Sequence, residues 1–312
     1  MMRIYHIDPL YKSFIWAGRK LIDRFGIDTD LPTVGTIYCV IALPGELDNI
    51  VRETGEPLST FYEKHRELFA CSDEVFPVRM TITCNEGFQS YQLHPDDAYA
   101  FVHEGCRGKV SGAVTLDDEG RTATWLFGHK VGSLEEFKEC VEQQDWGRLF
   151  GTIEVRDGDY VHTPAGVIHG GKGAGAISAT FGTNSDITYR FFDEGRNDPD
   201  RPLALDDVYA CVHFPEVPFC VEPPQPLALP GMKLITYHDV DGEYVALRLQ
   251  VEENASYEYD AFLFITCVRG SGSIDGVSLG LGETLLVPAG YGSFELAGSM
   301  DCIAISYHEK GA

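Results

Sequence analysis

The sequence predicts a mostly β protein, a sandwich, barrel or jelly roll, with a small helical insertion. Two observations carry that prediction. Short runs of β-favouring residues recur along the chain, divided by turns rich in Gly, Asp, Asn and Pro. One turn pattern also occurs twice. Gly158-Asp159, with Pro164, Gly166 and His169 behind it, returns at the same spacing as Gly282-Glu283 with Pro288, Gly290 and Ser293. A repeat of this kind points to two related β units in one chain.

The elements follow in order. Strands are expected at 36–42, 78–83, 88–93, 111–115, 123–128, 176–181, 187–192, 244–251, 261–269 and 284–288. Three segments break that rhythm with helical signals. Over 58–69, Leu58, Phe61, Tyr62, His65, Leu68 and Phe69 share one side, and Thr60 with Glu63 reads as a capping box. Over 133–150, the pair Ser133 and Glu136 repeats the capping pattern, ahead of Leu134, Phe137, Val141, Trp146 and Leu149 on one stripe. The third segment, 203–212, is shorter. A proline-dense connector follows at 214–218 and 223–226, and a boundary near Gly231 divides the chain into residues 1–230 and 231–312.

Composition narrows the function classes. A chain of 312 residues with 44% hydrophobic and 12% aromatic residues is long and apolar enough for a sizeable core. A net charge of −24, with no basic stripe, excludes a nucleic-acid binder. Nine cysteines are scattered singly, and neither a signal-peptide core nor a membrane-length apolar run is present. The expectation is a reduced, cytoplasmic protein with no membrane contact, whose cysteines serve as small core residues. The oligomeric state stays open.

The chemistry-bearing residues cluster in two places. Gln92 and His94 stand at i and i+2, so on a strand both point to one face. His169 follows the Pro164–Gly166 turn at the start of the next β run. Two strand-borne imidazoles and an amide oxygen inside a β-barrel make a divalent-metal site.

The ordered motifs resemble the type I mannose-6-phosphate isomerase family in its short bacterial form, a cupin fold. The resemblance runs through Ile15-Trp16-Ala17-Gly18, the helix at 58–69, Phe76-Pro77, Gln92-Leu93-His94-Pro95 with the following Asp96–Ala100, and His103-Glu104. Phe127-Gly128-His129, the 158–169 motif and Asn184–Arg190 complete it. It implies a double cupin, in which residues 1–230 form the metal-binding unit and 231–312 a second unit, with Ser293 where a ligand histidine would stand.

The resemblance further implies one zinc ion held by Gln92, His94 and His169, and a sugar or sugar phosphate as substrate. The reaction would interconvert an aldose and a ketose through a cis-enediol, using a Lewis acid, a proton-shuttling base and a cation beside the enediolate. Arg190 matches the active-site arginine, and its plainer reading is a salt bridge to Asp186 or Asp193. Ser90 matches a substrate-binding position, and Lys109 and Lys172 are further candidate phosphate partners, with Ser90 and Lys109 expected to help bind substrate. Departures from the family pattern cluster at the chemistry. Ser111 stands where the fourth ligand, a Glu, is expected, with His162, Cys84 or Glu104 as alternative fourth donors. Thr81 replaces a phosphate-side lysine, for which Arg79 on the same strand face is a substitute; Thr180 replaces a Glu, and a Gly-Glu-x-Trp pattern reads Gly35-Thr36-Ile37-Tyr38. The alternative reading is a non-catalytic sugar-binding or regulatory cupin.

Overall fold

The structure is a computed structural model describing residues 2–116, 120–172, 175–196, 198–199, 201–216, 221 and 224–311. Of the connector, Val217, Pro218 and Pro223 lie outside the described residues, as do Cys220 and the side chain of Lys172. The chain is mostly strand, as the turn spacing predicts, and it forms two β-barrels of cupin type. The first is made by two facing sheets. One orders the strands Tyr160–Thr163, Ser111–Thr115, Ile177–Thr183, Val78–Cys84, Thr36–Val40 and Leu10–Lys12. The other orders Phe150–Val155, Ala123–His129, His169–Lys172, Phe88–Leu93 and Tyr189–Phe192.

The second barrel curls from one large sheet, whose spine runs Leu227–Leu229, Met232–Val240, Tyr244–Val251, Ser293–Ser306, Leu263–Ile274 and Thr284–Val287. That sheet continues into the beginning of the chain, because Tyr5–Asp8 pairs antiparallel with Thr284–Val287, placing Ile7 opposite Thr284. Gly231 lies in the hairpin turn that opens this unit, at φ 77°.

Strand periodicity decides what each sheet buries. Along Val78–Cys84, Val78, Met80 and Ile82 face a core shared by both barrels, while Arg79, Thr81 and Thr83 face the interior of the first. The shared core joins Ile37, Met80, Ile82 and Phe181 to Phe262, Phe264, Ile303 and Ile305 of the second barrel. Arg248, 2% exposed and hydrogen-bonded twice to Asp301 at 2.8 and 2.6 Å, also reaches Asp157 of the first barrel at 3.9 Å.

Helices cover the outer face of the five-stranded sheet. Leu134–Gln143 starts as the capping pattern predicts: Ser133 Oγ accepts from the Glu136 amide at 3.2 Å, and Glu136 accepts from the Gly132 amide at 2.8 Å. Its Phe137 and Cys140, with Leu149 of Trp146–Leu149 and Val208 of Leu205–Cys211, pack on Tyr91, Leu93 and Phe191. The segment at 58–69 is helical only over Leu58–Lys64, followed by a short 3-10 turn at Arg66–Leu68. Its cap also differs. Pro57 precedes the first turn with no side-chain cap, so Thr60 sits inside the helix and makes no capping box. Two short helices, Lys20–Phe25 and Asp97–His103, are too short to show a period in sequence. Of the eight described cysteines, seven are buried and none forms a disulfide, as expected for small core residues. No helix among the described residues is long and apolar enough to cross a membrane.

Candidate active site

The interior of the first barrel holds a cavity of about 310 Å³, lined among others by Ser90, Gln92, His94, Lys109, His169 and Arg190. Strand register assembles them. Phe127, His169, Gln92 and Arg190 face one another across four adjacent strands of the five-stranded sheet. Ser90, Gln92 and His94 point inward, while Tyr91 and Leu93 between them pack against the helices outside. On the facing sheet, Thr163, Ser111, Gly182 and Arg79 form one row, and Thr180, Thr81 and Tyr38 form another.

The turn before His169 is fixed by backbone geometry. Gly166, at φ 80°, donates its amide to the His94 carbonyl at 2.8 Å, tying the turn to the strand that carries His94. Gly170, at φ 125°, lies so close to Ser90 that a Cβ there would fall 2.1 Å from the Ser90 carbonyl oxygen. Glycine is therefore required beside His169.

Both histidines are oriented from behind. His94 Nδ1 lies 2.8 Å from the Ile187 carbonyl, and His169 Nδ1 lies 3.0 Å from the Val167 carbonyl. A carbonyl only accepts, so each Nδ1 carries the proton and each Nε2 is left as a lone pair. The rings are 4.9 Å apart. Gln92 sits beside them, its amide 3.5 Å from His169 Nε2 and 2.8 Å from the Ser90 hydroxyl, which donates to it. Burial holds both imidazoles neutral. It pushes His169 down to about 4 and His94 well below its ordinary value, with Lys109 adding to both. Two neutral imidazoles whose Nε2 atoms carry lone pairs, next to an amide, are a donor set suited to a divalent ion such as zinc.

Cations surround these donors. Arg79, Lys109, Arg190, Arg196 and Arg201 all line the cavity, against one carboxylate among the described residues, Asp186. This is a positive pocket in a chain of net charge −24. Arg79 pairs with Asp186 at 2.9 Å and lies over the Tyr38 ring, while its Nε has no hydrogen-bond partner among the described residues. Lys109 is half-buried and pushed down to about 7, by loss of solvation first and by Arg79 second, with Asp186 opposing. Arg190, 7% exposed, pairs with Asp193 at 3.4 Å and donates to the carbonyls of Arg201 and Pro202. The plainer reading of Arg190 as a partner of Asp193 is thus present alongside its place in the cavity wall.

Ser111 and Thr81 both line the cavity, so the two expected departures fall on it. The three alternative fourth donors do not reach it. His162 turns the other way and stacks on His238, Cys84 donates to the Gly175 carbonyl, and Glu104 accepts from Tyr189. Asp186, Arg196 and Arg201 were not assigned to the cavity from the sequence. The two arginines come from the irregular stretch after Phe192, where no periodicity assigns a face.

No protein-family model matches the chain. It is 29% identical over 308 residues to the mannose-6-phosphate isomerase of Streptococcus mutans, covering 95% of each. Over a span of the same length it is 28% identical to the probable mannose-6-phosphate isomerase GmuF of Bacillus subtilis, covering 95% of this chain and 96% of that one. Its structure superposes on the crystal structure of the mannose 6-phosphate isomerase from Bacillus subtilis with a TM-score of 0.90 and 25% identity, over 97% of this chain and 99% of that chain. The phosphomannose isomerase of Salmonella typhimurium shares the fold, at a TM-score of 0.75 and 12% identity. The family resemblance read from the sequence is borne out.

Proposed function

We propose that this protein is a metal-dependent aldose–ketose isomerase that interconverts mannose 6-phosphate and fructose 6-phosphate, or a closely related sugar. The observation that carries this reading is the pair His94 and His169. Both are held neutral, with Nδ1 tied to a main-chain carbonyl, in a cation-lined cavity where His169 Nε2 faces Gln92. One divalent ion, zinc by the character of these donors, would be held by Gln92, His94 and His169. It would supply Lewis acidity toward the oxygens that gain charge during isomerisation.

The chain's own residues do the rest. Lys109 has a pKa near 7, so it can take a proton from one of the two carbons and return it to the other at neutral pH. Arg190 keeps a fixed positive charge beside the enediolate and is locked by Asp193 and two carbonyls, so it need not reorganise as charge develops. Ser90 holds the Gln92 amide in place. Arg79, Arg196 and Arg201 supply the positive partners that Thr81 cannot, which supports a phosphorylated substrate. The non-catalytic alternative is not favoured, because the relatives over the full chain carry isomerase names. Unpaired cysteines support a cytoplasmic setting.

The test is a coupled assay with mannose 6-phosphate on protein reloaded with zinc. Turnover is expected, with kcat rising through about pH 7 as Lys109 loses its proton. Fully metallated protein that turns over neither mannose 6-phosphate nor unphosphorylated mannose would defeat the reading.

A further inference from the structure

A second group of ligand-type side chains lies outside the cavity, where the two barrels meet. His162 belongs to Tyr160–Thr163, whose Thr163 lines the cavity, so alternation turns His162 to the opposite face. There it meets His238 of Met232–Val240 and Glu243, in the turn before Tyr244–Val251. One donor atom from each of the three lies within 4.8 Å of the other two. The imidazoles stack with centroids 4.6 Å apart, and His238 Nε2 is 2.9 Å from a Glu243 oxygen.

An ordinary ion pair accounts for His238 and Glu243 but not for His162. Burial first, then His238, pushes His162 down to about 4, so a neutral imidazole is held against a second one. Behind it, the Tyr244 hydroxyl lies 3.3 Å from His162 Nδ1 and is itself bonded to the Tyr160 hydroxyl at 2.8 Å. A ring nitrogen held from behind while its ring faces other donors is the outer-shell arrangement of a metal-ligating histidine. Two imidazoles and one carboxylate form a donor set used by zinc, with a fourth position left to water.

We propose that His162, His238 and Glu243 form a second divalent-metal site, structural in role, which clips the first barrel to the second. Zinc or cobalt suits it better than calcium or magnesium, which prefer all-oxygen shells. The rings now lie at 19° to each other, so binding turns one imidazole about its soft χ2 and draws the donors together by about an ångström. Glu243 is 31% exposed, which gives the ion a way in.

The test is cobalt titration of metal-free protein, with stoichiometry read from the visible spectrum and from metal content after gel filtration. Wild type should take two equivalents. His169→Ala should keep one, and His238→Ala should lose one while keeping the cavity ion. Glu243→Gln, which preserves shape, should weaken the second site at least tenfold with an unchanged circular dichroism spectrum, and it stands in if His238→Ala does not fold. If His169→Ala takes up no metal, or wild type and His238→Ala bind equal amounts, the site does not exist. Loss of turnover without change at His238 would bear on the cavity reading alone.

Discussion

The two barrels use the same alternation of side chains and differ in what they turn inward. Along Phe88–Leu93 and into His94, the inward set is Ser90, Gln92 and His94, and the barrel keeps a polar cavity. Along Tyr244–Val251, the inward set is Val245, Leu247, Leu249 and Val251, and these pack on Leu263, Ile265, Leu285 and Ala304 until the interior is full. Each such side chain contributes about 1.5–3 kcal/mol by burial, whereas a buried polar group contributes little beyond offsetting its own desolvation. The repeated turn shows the same division. His169 faces its cavity, while its counterpart Ser293 is exposed and bonds Ser256 at 2.8 Å. One barrel can therefore act as scaffold while the other carries the chemistry.

Substitutions can break or sharpen this contrast. The largest effect is expected from His169→Ala at pH 8, which should remove the cavity ion and lower turnover about 10³-fold or more, with little change in thermal midpoint. Retained cavity metal would show that the donors are misassigned. Next comes Leu247→Ala in the filled barrel, expected to cost about 2–5 kcal/mol by denaturant unfolding while kcat/KM per folded molecule holds. A tenfold loss of kcat/KM would mean that the barrels are not separable in this way.

A smaller effect follows from pH. In metal-free protein His169 has a folded value of about 4 against an ordinary value near 6.5. Between those values the unfolded chain binds a proton that the folded chain does not, so stability falls as pH drops through that window. His169→Gln should remove up to about 3 kcal/mol of that acid-side loss, and an unchanged unfolding profile would contradict the burial argument. The smallest effect is from Ser293→His. It restores the repeat's histidine on an exposed position over a filled interior, so metal stoichiometry should not change, and a gain of one equivalent would overturn the contrast.

Much of this was legible in the sequence, for identifiable reasons. Strands bounded by Gly and Pro turns, such as Phe88–Leu93 and Tyr244–Val251, fall where alternation put them. The donors Gln92, His94 and His169 meet because spacing and a repeated turn encode their faces. The cap at Thr60 failed because the local pattern competes with burial of Leu58, Phe61 and Tyr62, which starts the helix earlier. The cavity's Arg196 and Arg201 were invisible for a different reason: irregular backbone assigns no face, and only the folded chain brings them round. His162 stood in the sequence as an alternative fourth donor for the cavity. Its partners His238 and Glu243 lie far along the chain, and no short-range spacing links them.

The pairing of Tyr5–Asp8 with Thr284–Val287 sets an order on events at the ribosome. At about 5–20 residues per second, the first strand is exposed for roughly a quarter of a minute to a minute before its partner is made. The first barrel's strands can pair in the meantime, but the sheet that backs it cannot close. The strand Tyr5–Asp8 therefore acts as a late latch, leaving one unpaired edge open to chaperones, or to other nascent chains, until Thr284–Val287 has been made.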